Sequence, residues 1–518
     1  MFYPSIKQNK SILIIDDMIP LLISSQIREA DAFTIEQEPV TSVDLMERAS
    51  KAFVDIFIKE FPDQDKSIVV YCGTGNNGGD GLAIARLLKR AHYPKVSVKI
   101  ARFSDKASPD FKANLEKLKH TRIKLLEINA GAPLQEESSD IIIDALLGTG
   151  LNKPLQGDYA RLVDALNQLN STIVAVDVPT GFFTDGAPPA GATVLKTGLV
   201  ITFQQPKINF LLPESASCMD RFKVADIGLN KSFIESLDSP YQLISKKDIR
   251  QLLKPRKSFD HKGTYGHALI IAGQQLTMGA ALLCSSACAH TGAGLTTACI
   301  PESGLTALNT TLAEVMAIVR DGKNQPEIKW EKFNVVAAGP GLGTDADSLA
   351  LLEKAFKEFN KPMVVDADAL NMLAQKPEVL KNIPKGSIIT PHMKEFDRLF
   401  GEHQSWWQRL ETMRQKANEL GIYILLKNRY TITGTPSGKL YFNATGNPAM
   451  ASGGMGDVLT GVIASLLAQK YTSGEACIIG AYLHGKTGDE LAMPHLLNTV
   501  LAGQLAKHIP VTLAKLMS

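Results

Sequence analysis

Two aspartates sit in stretches of chain with almost no side chain around them. Asn447 to Gly461 reads NPAMASGGMGDVLTG and holds the lone carboxylate of Asp457 at the edge of an apolar run; Cys72 to Gly81 reads CGTGNNGGDG and holds Asp80. Each glycine-rich turn precedes a predicted helix, and a helix start presents unpaired N–H groups and a partial positive charge. Such a corner cradles phosphate. Glycine takes positive φ cheaply and lets the backbone approach a ligand with no Cβ in between. A carboxylate there is expected to be held ionised by the helix dipole, able to take a proton from a substrate hydroxyl or to help hold a cation. The plainer reading is a tight turn with aspartate as the helix cap. Neither stretch is a Walker A loop, because no Gly-Lys-Ser/Thr follows.

The elements that must position these turns repeat one phrase: a short β-branched run, a Gly- or Asp-punctuated loop, then helical spacing. Strands are expected at 67–72, 96–103, 140–146 and 172–178, and runs this apolar are covered on both faces, as in a parallel sheet wrapped by helices. The pattern loosens and charge rises at 230–250, which reads as a linker, and a new strand is expected near His267. The same phrase then resumes in HALIIAG, FNVVAAGPGLG, KPMVVDADALN, GSIITPHMKEF and YILLKNRYTIT. With 518 residues the chain exceeds what one core holds, so two α/β domains in series are expected, 1–240 and 241–518. Asp366 and Asp368, at the end of a strand and one residue apart, are expected on opposite faces, one for a metal-phosphate role and the other for helix capping.

Composition excludes several classes of function. Lysine and arginine number 55 against 53 acidic residues, a formal charge of +2 that calls for neither nucleic acid nor an anionic membrane. The six cysteines form no CxxC pair, which fits a reducing cytosol and a cytoplasmic protein; Cys284 and Cys288 read as small buried thiols sharing a helix face. The apolar run SILIIDDMIPLLISS is broken by Asp16, Asp17 and Pro20, so it reads as neither a signal peptide nor a span, and the residues before Met18 read as an upstream extension or dispensable arm.

The motifs SSQIREAD, LMERAS, GTGNNGGDG, DALLGTGLNKPL and AVDVPTG make the N-terminal half resemble the NAD(P)H-hydrate epimerase family. HKGTYGHALIIAG, GPGLG, VVDADALN, TPHMKEF and NPAMASGGMGDVLTG make the C-terminal half resemble the ADP- or ATP-dependent NAD(P)H-hydrate dehydratases. The motifs cover nearly the whole chain beyond Ile23, in the order of bacterial fusions of the two enzymes. The resemblance implies a Rossmann-like three-layer α/β/α domain followed by a ribokinase-like α/β domain, and a bifunctional enzyme acting on NADH or NADPH that has added water to the nicotinamide ring. The hydrated carbon is a hemiaminal of two possible hands. Hydroxide leaves poorly; a nucleotide converts that oxygen to a phosphate ester, and loss of phosphate and a proton restores the dihydropyridine. The first head interconverts the R and S hydrates and the second dehydrates the S form.

By the same resemblance Asp457 is the base of the second head, with the amides of Gly453, Gly454 and Gly456 facing the transferring phosphoryl group. The hydrated cofactor also meets Ala280, Gly343 and His392. The adenine nucleotide, ADP or ATP with Mg2+, lies along Lys427, Asn428, Arg429, Tyr430 and Thr431 and against Gly456. His392 reads otherwise as a structural loop histidine. In the first head the hydrated cofactor is placed on Asn76, Asn77, Gly78, Gly79 and Asp80, on the loop of Gly148, Thr149, Gly150, Leu151, Asn152, Lys153 and Pro154, and at Asp177. A potassium ion is placed on Asn77, Asp144 and Thr180. Asp144 and Asp177 are the acid–base candidates, with helix capping as the alternative for each. Fused domains of this kind also imply a homo-oligomer.

Three positions depart from the families' usual residues: Met455 stands for threonine, Asn428 for glycine in a turn that Asn tolerates if it is left-handed, and Thr180 for serine. Two rival readings remain: a small-molecule kinase of the ribokinase-like fold for the C-terminal half, and a non-catalytic binding module for the N-terminal half.

Overall fold

Runs such as IVVYC at Ile68–Cys72 and IIIDA at Ile141–Ala145 are buried at every position, as strands covered on both faces must be. The computed structural model describes residues 19–133, 136–151, 153–321, 325–494 and 496–518. It divides into two compact units, formed mainly by Pro20–Ser239 and by 240–518.

In the first unit the strands are β1 (Ile68–Cys72), β2 (Val96–Arg102), β3 (Lys124–Asn129), β4 (Ile141–Ala145), β5 (Thr172–Val176), β6 (Leu199–Phe203) and β7 (Phe222–Ala225). They pair in the order β3-β2-β1-β4-β5-β6-β7, every pair parallel. The order reverses between β1 and β4, so the loops after these two strands diverge and leave the crevice in which open α/β sheets bind ligands. Helices α1 (Ser24–Gln37), α2 (Ser42–Glu60), α3 (Asn76–Arg90), α4 (Pro109–Lys119) and α5 (Gly157–Leu166) complete three layers. Phe53 and Phe57 of α2, Leu82 and Ile84 of α3 and Phe111 of α4 pack with Val70 and Ile143 on one face; Leu162, Val163 and Leu166 of α5 pack with Val69 and Ile142 on the other.

The second unit holds β8 (Tyr241–Ile244), β9 (His267–Ile271), β10 (Leu295–Pro301), β11 (Met316–Arg320), β12 (Val335–Ala338), β13 (Met363–Val365), β14 (Ile388–Ile389), β15 (Tyr423–Leu426), β16 (Thr431–Gly434) and β17 (Leu440–Asn443), in the order β8-β17-β16-β15-β14-β13-β12-β9-β10-β11. Pairing is parallel from β11 through β15 and antiparallel in the β15-β16-β17 meander. The site is carried by α6 (Met278–Thr291), α7 (Ala346–Glu358), α8 (Ala367–Gln375), α9 (Met393–Phe400), α10 (Met455–Ala468) and α11 (Ser473–Ala492). α10 is buried without a break from Val458 to Ala468, and a Cβ on Gly461 would lie 2.1 Å from the carbonyl oxygen of Cys284, so glycine lets α10 press against α6. Cys284 and Cys288 are buried free thiols on α6, as expected.

Two expectations are corrected. The segment 230–250 is no loose linker: it forms helix Lys231–Ser236, strand β8, parallel to β17, and helix Lys246–Leu252. Asp366 and Asp368 do not alternate along a strand, because β13 ends at Val365 and α8 begins at Ala367. The segment before Met18 lies outside the described residues. Among the described residues no helix is long and apolar enough to cross a membrane.

Candidate active sites

In the second unit Gly454 turns the chain into α10 with φ +88, a left-handed conformation that glycine takes without strain. A side chain there would also meet Leu283 at 2.5 Å. Asp457 therefore lies in the first turn of the helix but does not cap it. Among the described residues no donor reaches its carboxylate, which leaves both oxygens for a ligand. Its acidity differs from the expectation of a carboxylate held ionised by the helix dipole: burial first, and then the negative charge of Asp366, push it up to about 6, against the opposing pull of Lys427. A base with that affinity works near neutral pH.

Asp366 supplies that field from a fixed place. It is 1% exposed, with Oδ1 2.8 Å from Lys427 Nζ and Oδ2 accepting from Thr460 Oγ1 at 2.8 Å. Both oxygens are taken, so it acts on Asp457 at a distance, and it makes no cap bond to α8. Burial alone would lower the Lys427 ammonium, but Asp366 and then Glu395 hold it above its usual range. Asp368 accepts the Gly343 N–H at 2.9 Å, which pins the Gly341–Gly343 loop; Ala280 of α6 borders it, since a Cβ on Gly341 would meet Ala280 at 3.0 Å.

The structural part foreseen for His392 is present, and its side chain is also open to solvent. Its Nδ1 caps α9 by accepting from Glu395 N–H at 3.2 Å, yet its side chain is 48% exposed. Its backbone bridges to Lys427, which brings the His392 and Lys427–Thr431 segments together. Asn428 has no positive φ, so the expected left-handed turn is not required there; its buried Nδ2 lacks a partner, a donor waiting for an acceptor. The guanidinium of Arg429 stacks over the Tyr430 ring at 4.7 Å, and Thr431 Oγ1 donates to the Asn428 carbonyl at 3.3 Å. Met455 is buried in the core, and its carbonyl accepts from His484 Nε2 at 3.0 Å. Burial lowers His484 to about 4, so the neutral ring carries its proton on Nε2.

In the first unit the glycines work by closeness alone. None of Gly73, Gly75, Gly78, Gly79 or Gly81 has positive φ, but a Cβ on Gly78 would fall 1.8 Å from the Gly73 carbonyl oxygen and one on Gly81 2.5 Å from Ala145 Cβ. α3 thus starts at Asn76, and Asp80 lies within it rather than capping it. Burial first, then Asp177, Asp31 and Asp110, raise the Asp80 carboxyl well above its ordinary value.

Asp144 is fully enclosed in β4. Its Oδ1 accepts from Leu146 N–H at 3.1 Å and Thr180 Oγ1 at 2.7 Å, and its Oδ2 from Thr180 N–H at 2.7 Å. Burial lifts it to about 6 despite these bonds. A carboxylate so enclosed ties two loops together, and the geometry does not support it as a group that meets substrate. Thr180 Oγ1 and Asp144 do supply oxygens suited to a hard cation, and Asn77, which a Cβ on Gly148 would meet at 3.3 Å, has a buried Nδ2 with no partner among the described residues; turning that amide over presents its oxygen instead. Gly148, Thr149 and Leu151 are half-exposed, and Gly150, Lys153 and Pro154 exposed, at the crevice; Asn152 lies outside the described residues.

Asp177, after β5, is a non-glycine residue at φ +64. Its Oδ1 takes Lys207 Nζ at 2.7 Å, Phe203 N–H at 2.8 Å and Thr202 Oγ1 at 3.0 Å. Two residues near it were missed from sequence. Asp31 of α1 faces Asp177 and is raised to about 6, by burial first and then by Asp177; its one signal was its place at the end of SSQIREAD. Lys207 is 1% exposed, and its signal was a lysine standing alone in the apolar run QQPKINFLL.

These are two carboxylate-centred crevices at the carboxyl ends of α/β sheets, each beside a glycine-started helix, as in enzymes that handle nucleotide-sized ligands. The family model for NAD(P)H-hydrate dehydratase matches residues 268–511, and that for the YjeF-related protein N-terminus matches residues 42–209. The chain is 34% identical to the bifunctional NAD(P)H-hydrate repair enzyme Nnr of Moorella thermoacetica, over 96% of this chain and 97% of that protein. It is also 34% identical to the enzyme of the same name from Escherichia coli, over 90% and 89% of the two chains. Among solved structures it is similar to the ADP/ATP-dependent NAD(P)H-hydrate dehydratase of Bacillus subtilis co-crystallised with ATP/Mg2+, at 29% identity and TM-score 0.47, covering 52% of this chain and 97% of that one. The chain belongs to the bifunctional NAD(P)H-hydrate repair enzymes. It is an epimerase and a dehydratase that restores hydrated NAD(P)H.

Proposed function

We propose that the epimerase head is residues 1–240 and the dehydratase head 241–518, with Asp457 as the dehydratase base. The observation that carries this is the Asp457 carboxylate at the glycine-started mouth of α10, free of donors among the described residues and raised to about 6 beside the Asp366–Lys427 pair. Asp457 takes the hydroxyl proton of the S hydrate as its oxygen attacks the terminal phosphoryl group of ADP or ATP. The amides of Gly453, Gly454 and Gly456 face the charge that builds on that group. Gly456 suits this contact, since a Cβ there would crowd Lys427 Nζ at 3.4 Å. Lys427 bears on the nucleotide phosphates, the unpartnered Asn428 Nδ2 donates to the nucleotide, and Arg429, Tyr430 and Thr431 line its path. Ala280, Gly343 and His392 hold the hydrated cofactor. Mg2+ bound with the nucleotide would offset phosphate charge, and Asp457 and Asp368 are the acids that would hold it.

In the epimerase head Asp177 receives the hydroxyl proton of the hemiaminal as the C–N bond opens with its electron pair to the ring nitrogen, which a protonated neighbour, Asp31, supplies with a proton. Reclosure on the other face of the carbonyl carbon returns both protons. Asn76, Asn77, Gly78, Gly79 and Asp80 and the 148–154 loop hold the cofactor. Potassium would be held by Asn77, Asp144 and Thr180 and would supply positive charge to the site. The protein acts in the cytoplasm as a homo-oligomer.

The test mixes acid-hydrated NADH, an R and S mixture, with the purified protein, potassium, magnesium and either nucleotide. Complete recovery of dihydronicotinamide absorbance is expected; recovery of only the S share overturns the epimerase assignment. Recovery of a stable phosphorylated product in place of NADH favours the kinase reading.

A further inference from the structure

We propose that Lys207 is a positioning residue of the epimerase head: it fixes Oδ1 of Asp177 and so leaves Oδ2 as the one oxygen of that carboxylate open to the hydrated ring. The proposal rests on the reading that Asp177 meets the substrate. A lysine with 2% of its side chain exposed is uncommon unless its ammonium is paired. Here Nζ lies 2.7 Å from Asp177 Oδ1 and 3.1 Å from the Phe203 carbonyl oxygen. The Phe203 N–H and Thr202 Oγ1 reach the same Oδ1, so three donors converge on one oxygen while, among the described residues, none reaches Oδ2.

The exposures run in the order this role needs. The Asp177 side chain is 15% exposed and Lys207 lies behind it, so substrate can meet the acid and not the lysine. The left-handed backbone at Asp177, tied by its N–H to the Ile201 carbonyl at 2.9 Å, sets the direction in which the carboxylate points. The charged groups around it explain why a cation is wanted. Asp31 from α1 and Asp80 from α3 face Asp177, Asp110 faces Asp80, and Lys207 is the cation that bears on this set, lowering Asp31 against burial and Asp177.

An ion pair that served only the stability of the fold would leave the titration of turnover unmoved. The test uses the full chain and follows interconversion of R and S hydrates by chromatography, without nucleotide, from pH 5 to 9. Lys207→Gln is expected to lower kcat about a hundredfold with KM changed much less, and to move the alkaline limb up by about one pH unit because Asp31, the proton donor, loses its opposing cation. ADP-dependent dehydration of pure S hydrate stays at the parent rate. Parent kcat, or a lowered kcat with an unmoved alkaline limb, overturns the proposal. Should Lys207→Gln unfold the head, Thr202→Val decides: it removes one Oδ1 donor and no charge, so kcat falls about tenfold with the limb in place, and parent kcat overturns the proposal. Asp177→Asn separates the two ideas, since full activity there refutes the role of Asp177 itself, whereas an inactive Asp177→Asn beside a fully active Lys207→Gln refutes only that of Lys207.

Discussion

Replacing Asp457 by asparagine removes the proton acceptor and leaves the shape of the turn. Because the group titrates at about 6, the parent dehydratase is expected to hold its full rate above pH 7, half of it near pH 6 and about a tenth near pH 5. Asp457→Asn is expected to lower kcat by about 10²- to 10⁴-fold, the usual worth of a positioned base, and to abolish that acid limb. The same shift makes a second, opposite forecast. A carboxyl whose folded value is raised from 3.8 to about 6 opposes folding once it ionises, so its burden is mostly absent at pH 4 and fully present above pH 7. Two units correspond to at most about 3 kcal/mol, less for the water that still reaches the group. Asp457→Asn should therefore melt higher than the parent at pH 7.5 and together with it at pH 4. Stopped assays of dihydronicotinamide recovery with S hydrate and ADP, beside calorimetric melts at the two pH values, measure both. An unchanged rate, or a parent acid limb retained in the variant, would refute the assignment.

Lys427→Met strands the buried Asp366 carboxylate and is expected to destabilise the second unit by about 3–5 kcal/mol, read as a lower urea midpoint, with dehydration lost. Thr180→Val withdraws the hydroxyl that donates to Asp144; it should cost about 1–3 kcal/mol and cancel the rise in melting temperature expected for the parent in potassium compared with sodium. Gly78→Ala drives a Cβ into the Gly73 carbonyl and should abolish epimerisation while S-hydrate dehydration continues, measured on the same sample.

Much of the framework was legible because β1, β4 and β5 are β-branched runs buried on both faces, and such runs have little else to be; the observed ends fall within one or two residues of the expected ones. β3 was not legible, since KLLEIN is an edge strand with exposed Lys124, Glu127 and Asn129. β8 hid inside a charged stretch because its pairing with β17 spans two hundred residues of chain. At the sites the motifs found Asp457 and Asp177, but local pattern could not tell that Asp366 has both oxygens engaged or that Asp144 is enclosed. Nor could it separate the two uses of glycine, handedness at Gly454 and closeness at Gly78. Asp31 and Lys207 escaped because their meaning arises only when α1 and the segment after β6 fold against Asp177.

The engagement of both Asp366 oxygens has a further consequence. The proton affinity of Asp457 is set by burial and then by an acid whose oxygens are already held, one of them by Thr460, one turn along α10 and out of the solvent's reach. A change at that single interior hydroxyl would thus reach Asp457 only through Asp366, with the glycine turn at Gly454 left as it was.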